Sequence, residues 1–329
     1  MNTKTDRLSA LIETGLQQTE IPQTPKSLYD PIRYILHMGG KRLRPRLVLI
    51  GCGLAGGDPE KAVPAAMSVE LLHNFTLIHD DIMDQAESRR GKPTVHMRWD
   101  TSAAILSGDS MFALAMAQLD FYTAENGFTP ETGLRLYRDF SQASITVCEG
   151  QAMDMDFEAS LEVSLDDYLE MIRCKTAALI QTSLTMGGSV AEADEETIHE
   201  LGQIGLDAGI AFQIQDDLLD ATADPDKFGK RKGGDIYEGK KTWLTIQLLN
   251  RLSGEEKSKV EQILQNRAST AQDVEGVIRL YEEHGVISDA VDAIKNRYIS
   301  CLERLDHFPD STFKDEIRIL MDKLTKREN

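Results

Sequence analysis

Two short aspartate-rich segments carry the residues best suited to chemistry. They share one spacing, two adjacent aspartates and a third aspartate three residues later, and they comprise Asp80, Asp81 and Asp84 and then Asp216, Asp217 and Asp220. In a helix, the first and last carboxylates of each segment lie one turn apart on the same face. Ionised carboxylates this close repel one another, and Mg²⁺ typically shares its ligands between carboxylates, water and a substrate phosphate. The spacing therefore predicts a magnesium site that holds a phosphorylated substrate.

A third acidic segment, Asp166 and Asp167 with Glu170, has a similar composition but predicts a different role. It follows Ser164, and the spacing from Ser164 to Asp167 is that of a capping box at a helix start. Acidic side chains in the first turn also interact favourably with the helix dipole. We therefore interpret this segment as structural, whereas the other two segments follow long apolar runs.

The sequence around these segments predicts helices. Proline is absent from residues 131–224 and from residues 226–308, which suits long helices. Apolar residues recur at helical spacing over residues 161–186, and the pair Gly187 and Gly188 is predicted to end that helix. Short alternating runs rich in valine, isoleucine and threonine, which would indicate strands, do not recur. The predicted fold class is therefore all-α.

Two segments are apolar on nearly all sides, which on a helix predicts burial in the middle of a bundle. One begins near Pro64 and the other near Glu196, and each leads into one of the two aspartate clusters. We see no tandem repeat, no low-complexity tract and no linker. The expected organisation is one domain over residues 1–329, with loops at residues 126–132 and 223–239.

The composition excludes some classes of partner. The 329 residues include 36 lysines and arginines against 54 aspartates and glutamates, a formal charge of −18, which disfavours nucleic acid and anionic membranes. No uninterrupted apolar run reaches about 18 residues and no signal peptide is evident, so we expect a cytoplasmic protein without a membrane span. The four scattered cysteines fit neither a zinc site nor a disulfide scaffold, and we expect buried free thiols.

Basic residues recur beside both aspartate clusters. Four cations lie within residues 41–46, Arg89 and Arg90 follow the first cluster, Lys175 precedes Thr176 in a predicted helix, and Lys230 and Lys240 follow the second cluster. Arginine binds phosphate oxygens in a bidentate manner and lysine acts as a compact point charge. Carboxylates, a metal ion and basic side chains together indicate a diphosphate pocket.

These motifs resemble those of the trans-isoprenyl diphosphate synthases, the polyprenyl synthetase family, from about Tyr29 to the C-terminal region. Five occur in the family's order: Gly-Gly-Lys-Arg-Leu-Arg-Pro at 39–45, the first aspartate cluster with residues 89–94, Gly150-Gln151, Lys175-Thr176, and residues 213–220 with Gly229-Lys230. The resemblance implies long helices around a deep central cavity, with the two aspartate motifs facing each other across its mouth. It also implies a homodimer.

The resemblance further implies an activity. Such an enzyme condenses isopentenyl diphosphate head to tail with dimethylallyl, geranyl or farnesyl diphosphate, using about three Mg²⁺ ions or, alternatively, Mn²⁺. The product is an all-trans prenyl diphosphate that is five carbons longer. No side chain acts as a covalent nucleophile, which agrees with a sequence that offers no convincing Ser/His/Asp or Cys/His arrangement.

Roles transfer to this sequence position by position. Asp80, Asp84 and Asp216 resemble the principal Mg²⁺ ligands, and Asp81, Asp217 and Asp220 resemble the assisting acids. Arg89, Lys175, Lys230 and Lys240 resemble the residues that bind the allylic diphosphate. Lys41, Arg44, His73 and Arg90 resemble the site for the diphosphate of isopentenyl diphosphate. Thr176 and Gln213 match positions whose oxygens face the developing allylic cation. Residues 85–88 carry less acid than in many relatives, but both arginines keep their spacing.

Product length depends in this family on bulk about one turn before the first aspartate cluster. Phe75 is the large side chain there and Thr76 the smaller one beside it. The first cluster also lacks the two-residue insertion that accompanies an upstream aromatic residue in many bacterial farnesyl synthases. The combination resembles a geranylgeranyl diphosphate synthase, with a farnesyl diphosphate synthase as the alternative.

Three other classes of protein remain to be weighed. His79 beside Asp80 is compatible with a histidine-aspartate metal phosphohydrolase, but the other histidines show no matching spacing. A terpene cyclase also ionises diphosphates with Mg²⁺, but it usually has a mixed second motif and lacks the site formed by Lys41 and Arg44. In a non-catalytic helical regulatory subunit we would expect some aspartates of the two clusters to be replaced, whereas all six are present.

Overall fold

The computed structural model describes residues 7–160, 162–222, 232–267 and 270–325, which are almost entirely helical and confirm the all-α prediction. The helices are α1 (Arg7–Gln18), α2 (Lys26–His37), α3 (Leu43–Leu54), α4 (Val63–Met83), α5 (Val95–Arg98), α6 (Thr101–Ala117), α7 (Pro130–Ala159), α8 (Leu165–Ile172), α9 (Ala178–Val190), α10 (Glu195–Thr222), α11 (Gly234–Glu238), α12 (Trp243–Arg251), α13 (Gly254–Gln265), α14 (Ala271–Glu283), α15 (Val286–Leu305) and α16 (Thr312–Thr325).

Shorter elements connect some of these helices. Single 3₁₀ turns cover Pro59–Ala62, Gln118–Phe121 and Ala124–Asn126, and a π-helical turn covers Arg173–Ala177 between α8 and α9. The strands β1 (Ser88–Arg89) and β2 (Lys92–Pro93) form a two-residue antiparallel hairpin, in which Ser88 pairs with Pro93 and Arg89 with Lys92. This hairpin is the whole of the strand content in the described residues.

The chain divides into two compact units, each described here by itself. The first comprises residues up to Ser144 together with Thr182–Gly202, and the second comprises Ile145–Gln181 together with residues from Gln203 onward. The expectation of one domain over residues 1–329 stays a prediction.

Helix α4 is the central element of the first unit. It packs against α1, α3 and α6, and its residues 65–72 are buried without interruption. Pro64 lies in its first turn, where a missing backbone N–H costs no hydrogen bond. The burial confirms that this all-round apolar segment is a core helix. Its C-terminal turn carries the first aspartate cluster, of which Asp80 and Asp84 are nearer to solvent than Asp81.

The core of the second unit forms where α8, α10 and the C-terminal helices meet. Its buried members include Tyr168, Ile214, Trp243, Tyr281 and Ile294. The predicted capping box at the start of α8 is present, because the Ser164 hydroxyl accepts from the Asp167 N–H and the Asp167 carboxylate accepts from the Ser164 N–H. The third acidic segment is therefore structural, as predicted.

One predicted helix boundary is wrong. The pair Gly187 and Gly188 does not end the helix, since α9 continues through both to Val190. Leu161, the predicted start of that helix, lies outside the described residues, and α8 begins only at Leu165. A Cβ on Gly187 would overlap the backbone of α3 at Val48, so this glycine serves close helix packing rather than helix termination.

All four cysteines are free thiols, as predicted, and three of them are buried. Cys148 is the exception, because it is exposed on α7. Among the described residues one segment, Thr101–Phe121, is long and apolar enough to cross a membrane by length and composition, and about a third of it is buried in the protein. Such a segment is weak evidence for a span, because core helices of soluble proteins meet the same criteria.

Candidate active site

The first aspartate cluster lies at the C-terminal end of α4. Asp80 is half-buried on the helix and Asp84 is exposed at its C-cap, one turn further along. The i, i+4 spacing places these two carboxylates on one face, as the sequence predicts. Both can therefore reach a cation on the solvent side of α4.

Asp81 has a different environment from its neighbours, because it is 1% exposed. The Arg89 Nε donates to both of its carboxylate oxygens at 2.9 and 3.0 Å, and an Arg89 Nη lies 2.8 Å from Oδ1. Arg89 belongs to β1, and the turn that follows has positive φ at Arg90 and Gly91. Asp81 thus holds the arginine-bearing hairpin against α4, and its oxygens are used inside the protein.

The loop before α3 brings further basic residues to the same unit. Gly39 and Gly40 have φ of 77° and 144°, values that glycine adopts readily. The Arg90 guanidinium donates to the carbonyl oxygen of Gly39, and a Cβ on Gly40 would lie 2.7 Å from an Arg90 Nη. The glycine pair therefore leaves room for Arg90, while Lys41 is exposed on the loop.

Arg44 and His73 form the deepest pair of this basic group. An Arg44 Nη donates to the Nε2 of His73 at 3.1 Å. Arginine has no acceptor, so His73 must be neutral at Nε2 and carry its proton on Nδ1. Burial, together with the charges of Arg44, Arg90, Arg89 and Arg42, holds the pKa of His73 well below its ordinary value.

The four arginines around His73 concentrate positive charge in an otherwise acidic protein. Burial lowers the pKa of Arg44 to about 10, although the charge of Glu70 acts in the opposite direction. Burial and the charges of Arg42 and Arg89 also lower the pKa of Arg90. The buried Nε of Arg44 has no hydrogen-bond partner in the described structure. Such crowded, incompletely paired guanidinium groups are suited to a polyvalent anion.

Phe75 lies one turn before the first cluster, where the sequence places the chain-length position. Its ring packs edge to face against His79, with centroids 4.7 Å apart, and lies 5.5 Å from the ring of Phe112 on α6. Phe112 in turn lies 5.6 Å from Phe140 on α7. The smaller Thr76 donates its hydroxyl to the carbonyl of His73 at 2.8 Å. Three phenylalanine rings thus succeed one another across α4, α6 and α7.

The second aspartate cluster repeats the burial pattern of the first. Asp216 is exposed, Asp217 is 5% exposed and Asp220 is half-buried, all on α10. The Asp220 carboxylate accepts from the backbone N–H of Asp235 at 3.0 Å. In both clusters the middle carboxylate is the buried one, and the first and last carboxylates remain nearer to solvent.

Asp217 is surrounded by donors from its own unit. Its Oδ2 accepts from the Tyr168 hydroxyl at 2.5 Å and from the Trp243 N–H at 3.0 Å, and its Oδ1 accepts from the Gln213 amide at 3.1 Å. Burial and the charge of Asp235 raise the pKa of Asp217 to about 7 despite these hydrogen bonds. Asp217 therefore connects α8, α10 and α12 rather than facing solvent.

Lys175 and Thr176 lie in the π-helical turn between α8 and α9. The Lys175 ammonium donates to Asp154 on α7, and a Cβ on Gly150 would overlap the backbone of Lys175. Gly150 therefore allows α7 to approach the turn closely. A π turn inserts one residue into a helix and often occurs at functional sites.

Thr176 and Gln213 line a cavity of about 150 Å³ within the second unit. The Thr176 hydroxyl donates to the Gln213 Oε1 at 3.0 Å, and the Gln213 amide nitrogen donates to Asp217, so the three side chains form one chain of hydrogen bonds. Lys175 and Lys240 line the same cavity, together with the apolar side chains of Phe157, Met171 and Ile172. Its wall combines cations, hydroxyl and amide oxygens, and apolar surface.

Lys240 is half-exposed at the cavity wall, 2.7 Å from Glu238 and 3.6 Å from Asp235. Burial opposes its charge, but these two acids outweigh burial and raise the pKa of the Lys240 ammonium above its ordinary value. Lys230, the remaining basic residue of the prediction, lies outside the described residues. The structure thus brings Lys175 and Lys240 together in one unit, and Arg44, His73, Arg89 and Arg90 together in the other.

Several polar residues of these sites are absent from the sequence-based prediction. Asp154 and Asp235 neutralise the two lysines, and Tyr168 binds the buried carboxylate of Asp217. Lys241 lines the same cavity, and burial lowers its pKa although Glu158 acts against that shift. Asp154 follows the Gly150-Gln151 motif by one turn, which is a signal in the sequence. The others have no local pattern that identifies them.

The donor set fits magnesium better than a metal with a closed protein shell. In the part of the chain that is described, no three histidine, cysteine or acidic side chains converge on a single metal position. Two carboxylates one turn apart on an exposed helix end supply only part of an octahedral shell, which Mg²⁺ typically completes with water and phosphate oxygens. The outer aspartates are therefore compatible with Mg²⁺ bound together with a diphosphate.

A largely helical chain with two aspartate clusters and a cluster of arginines around one histidine matches a known family. A family model described as polyprenyl synthetase matches residues 25–281. The chain belongs to this family of prenyltransferases, which confirms the resemblance seen in the motifs.

Individual members of the family are similar to this chain over most of their length. A geranylgeranyl diphosphate synthase from Saccharolobus solfataricus is 39% identical over 87% of this chain and 85% of its own length. A geranylfarnesyl diphosphate synthase from Natronomonas pharaonis is 36% identical over 93% and 91%. The crystal structure of geranylgeranyl pyrophosphate synthetase from Pyrococcus horikoshii superposes with a TM-score of 0.91 at 37% identity, over 97% of this chain and 96% of that one. The similarity extends over nearly the full length of each.

Proposed function

We propose that this protein condenses isopentenyl diphosphate with an allylic diphosphate to give a short-chain all-trans prenyl diphosphate, and that the product is geranylgeranyl diphosphate. The observation that carries the proposal is the group of four arginines around His73, beside a helix end whose outer aspartates suit Mg²⁺. Two relatives named as geranylgeranyl diphosphate or pyrophosphate synthases support the choice of product.

The first unit provides the proposed site for isopentenyl diphosphate. Arg44 and Arg90 bind the diphosphate oxygens, with Lys41 at the exposed edge. Neutral His73 keeps Arg44 oriented and, by donating from Nδ1, adds no charge of its own. Because the guanidinium groups are already crowded before substrate binds, the anion relieves their repulsion as it enters.

The second unit provides the proposed contacts for the allylic group. Lys175 and Lys240 bind the departing diphosphate, and the oxygens of Thr176 and Gln213 face the allylic carbon from which it leaves. The apolar wall formed by Phe157, Met171 and Ile172 limits the access of water to this region. Gln213 is held by both Thr176 and Asp217, so its carbonyl oxygen does not need to reorganise during the reaction.

We assign Mg²⁺ to Asp80 and Asp84 in the first unit and to Asp216 in the second, with Asp220 assisting. When bound, the metal supplies positive charge to the oxygens of the leaving diphosphate. Asp81 instead binds Arg89, and Asp217 binds Gln213. In this proposal neither of these two buried carboxylates ligates the metal. This division of labour refines the roles that the resemblance alone implies for the middle aspartates.

We further propose a homodimer that works in the cytoplasm. Ile105 and Leu106 on α6 are 43% and 59% exposed, whereas the opposite face of this helix packs on α2 and α4. Contiguous exposed apolar surface on a helix indicates a partner. A second copy of the chain suits this face better than a bilayer, because Asp109 and Asp120 lie in the same apolar segment. Light scattering of Leu106→Glu against the wild type tests this assignment.

The direct test is a product assay. The purified protein is incubated with Mg²⁺, isopentenyl diphosphate and, separately, dimethylallyl, geranyl or farnesyl diphosphate, and the products are identified by chain length. A twenty-carbon product supports the proposal, and a fifteen- or twenty-five-carbon product supports the class but changes the product. No condensation with any primer, in folded protein, would refute it.

A further inference from the structure

Arg42 lies in the same basic segment as Lys41 and Arg44, directly before α3, but its side chain turns into the protein. It adopts a left-handed backbone conformation with φ of 47°, which is uncommon for a residue with a Cβ. One Nη donates to the Glu70 carboxylate and the other donates to the carbonyl of Leu36 at 2.5 Å. These contacts hold Arg42 against both α2 and α4.

Glu70 is a buried carboxylate in the middle of α4. The side chains of Arg42 and Glu70 are only 11% and 4% exposed. Asn74, one turn further along α4, donates its amide to the Glu70 Oε1 at 2.9 Å and to the Glu70 backbone carbonyl at 2.8 Å. The carboxylate is thus held in one orientation by a neutral donor from its own helix and by a cation from the loop.

The position of Glu70 relates it to the guanidinium group described above. It precedes His73 by three residues, so the two lie on neighbouring positions of the same helix face. Its charge opposes the shifts that burial imposes on the pKa values of Arg44 and Arg90. Glu70 is therefore a fixed negative charge beneath cations that would otherwise repel one another.

We propose that Glu70 is a positioning residue for the isopentenyl diphosphate site. Through Arg42 it holds the segment of residues 39–44 on α4, and through its charge it keeps Arg44 and Arg90 assembled before the anion arrives. It touches no substrate. The inference rests on the proposed function, because it assumes that the guanidinium group binds the diphosphate of isopentenyl diphosphate.

The contacts of residues 39–44 explain why the positions of Arg44 and Arg90, and not only their charges, depend on Glu70. The carbonyl of Gly39 receives the guanidinium of Arg90, so a shift of the loop also moves Arg90. Arg44 lies in the first turn of α3, so its contact with His73 depends on where that helix starts. Loosening Arg42 therefore disturbs both diphosphate-binding arginines at once.

The test is Glu70→Gln, which keeps the shape of the side chain and removes its charge. Steady-state kinetics are measured with isopentenyl diphosphate varied at saturating allylic diphosphate, and then the reverse. We expect the KM for isopentenyl diphosphate to rise about 10- to 100-fold, the range for a lost hydrogen bond between charged groups. The KM for the allylic substrate and kcat should change no more than about 3-fold. Glu60→Gln, which removes the acid of an exposed pair with Arg7, is the matched control.

Two further measurements keep the inference testable if Glu70→Gln folds poorly. Asn74→Ala retains the pair of Arg42 and Glu70 but removes the amide that orients the Glu70 carboxylate. It should raise the KM for isopentenyl diphosphate by a smaller factor than Glu70→Gln. Amide hydrogen exchange of residues 39–44 in substrate-free protein should quicken in both variants and not in Glu60→Gln, whether or not the wild type proves to condense prenyl diphosphates. Unchanged exchange in this segment, or equal losses for both substrates together with kcat, would overturn the positioning role.

Discussion

The replacement of Phe75 by alanine is the sharpest test of how product length is set. The ring of Phe75 lies 5.5 Å from that of Phe112, and Phe112 lies 5.6 Å from Phe140. A five-carbon unit adds four bonds of about 1.5 Å to the chain, or about 5 Å of extended length. Removing one ring therefore lowers the barrier by about one unit. Phe75→Ala should convert a twenty-carbon product into a twenty-five-carbon product.

The same spacing predicts how the next ring behaves. Phe112→Ala alone should leave the product unchanged, because the intact Phe75 still stops the tail. Phe75→Ala combined with Phe112→Ala should add a second unit, since the barrier then falls by a further 5.6 Å to Phe140. The loss of two aromatic contacts at a half-buried position should also destabilise Phe75→Ala by about 2 kcal/mol.

The assay uses labelled farnesyl diphosphate with excess isopentenyl diphosphate, followed by dephosphorylation of the products and chromatography against standards. Phe121→Ala serves as the control, because Phe121 is 38% exposed and belongs to the same unit. An identical product distribution in wild type and Phe75→Ala would refute the role of the ring as a floor. So would a shift of equal size in Phe121→Ala.

Four other variants test the site. Asp80→Ala and Asp216→Ala should each lower kcat by orders of magnitude with an unchanged circular dichroism spectrum, since both acids lie near solvent and are assigned to metal binding; rates like those of the wild type would contradict the assignment. Asp217→Asn should instead destabilise the fold by about 2–4 kcal/mol in urea unfolding, because the amide replaces one of the two oxygens that accept from three buried donors with a further donor. Burial and the neighbouring arginines lower the pKa of His73, so the stabilising effect of the neutral imidazole is complete above about pH 6.5 and declines below it. Between about pH 7.5 and 5.5 the wild type should therefore lose more free energy of unfolding than His73→Gln, and equal losses would contradict the burial of neutral His73.

Much of the fold was predictable because helices leave local traces in a sequence. The long apolar segments before both aspartate clusters are buried helices, and the capping box at Ser164 is formed as its spacing indicates. The error at Gly187 has a physical cause. The sequence alone does not distinguish a glycine that ends a helix from a glycine that allows a neighbouring helix to approach. Only the position of α3 in the structure shows that Gly187 is of the second kind.

The candidate site was predictable in its residue types and less so in its internal division of roles. Sequence gives the three aspartates of each cluster equal weight, whereas burial separates Asp81 and Asp217 from the rest. Likewise, the sequence gives no sign that Arg42 differs from the other cations of its basic segment. Its partner Glu70 lies 28 residues away along the chain. Partners that distant along the chain are brought together by tertiary packing, which a local pattern does not encode.

The π-helical turn at Arg173–Ala177 has a consequence for how this chain tolerates length changes. A regular α-helix advances by about 100° per residue, so a turn with one additional residue displaces everything before it by that angle relative to everything after it. Deleting a single residue there would restore an ordinary helix and rotate α8 against α9 by about 100°. The hydroxyl of Tyr168 would then face away from Asp217, and the ammonium of Lys175 away from Asp154. Insertions and deletions should therefore be tolerated in the surface connections of this chain and rejected within these five residues.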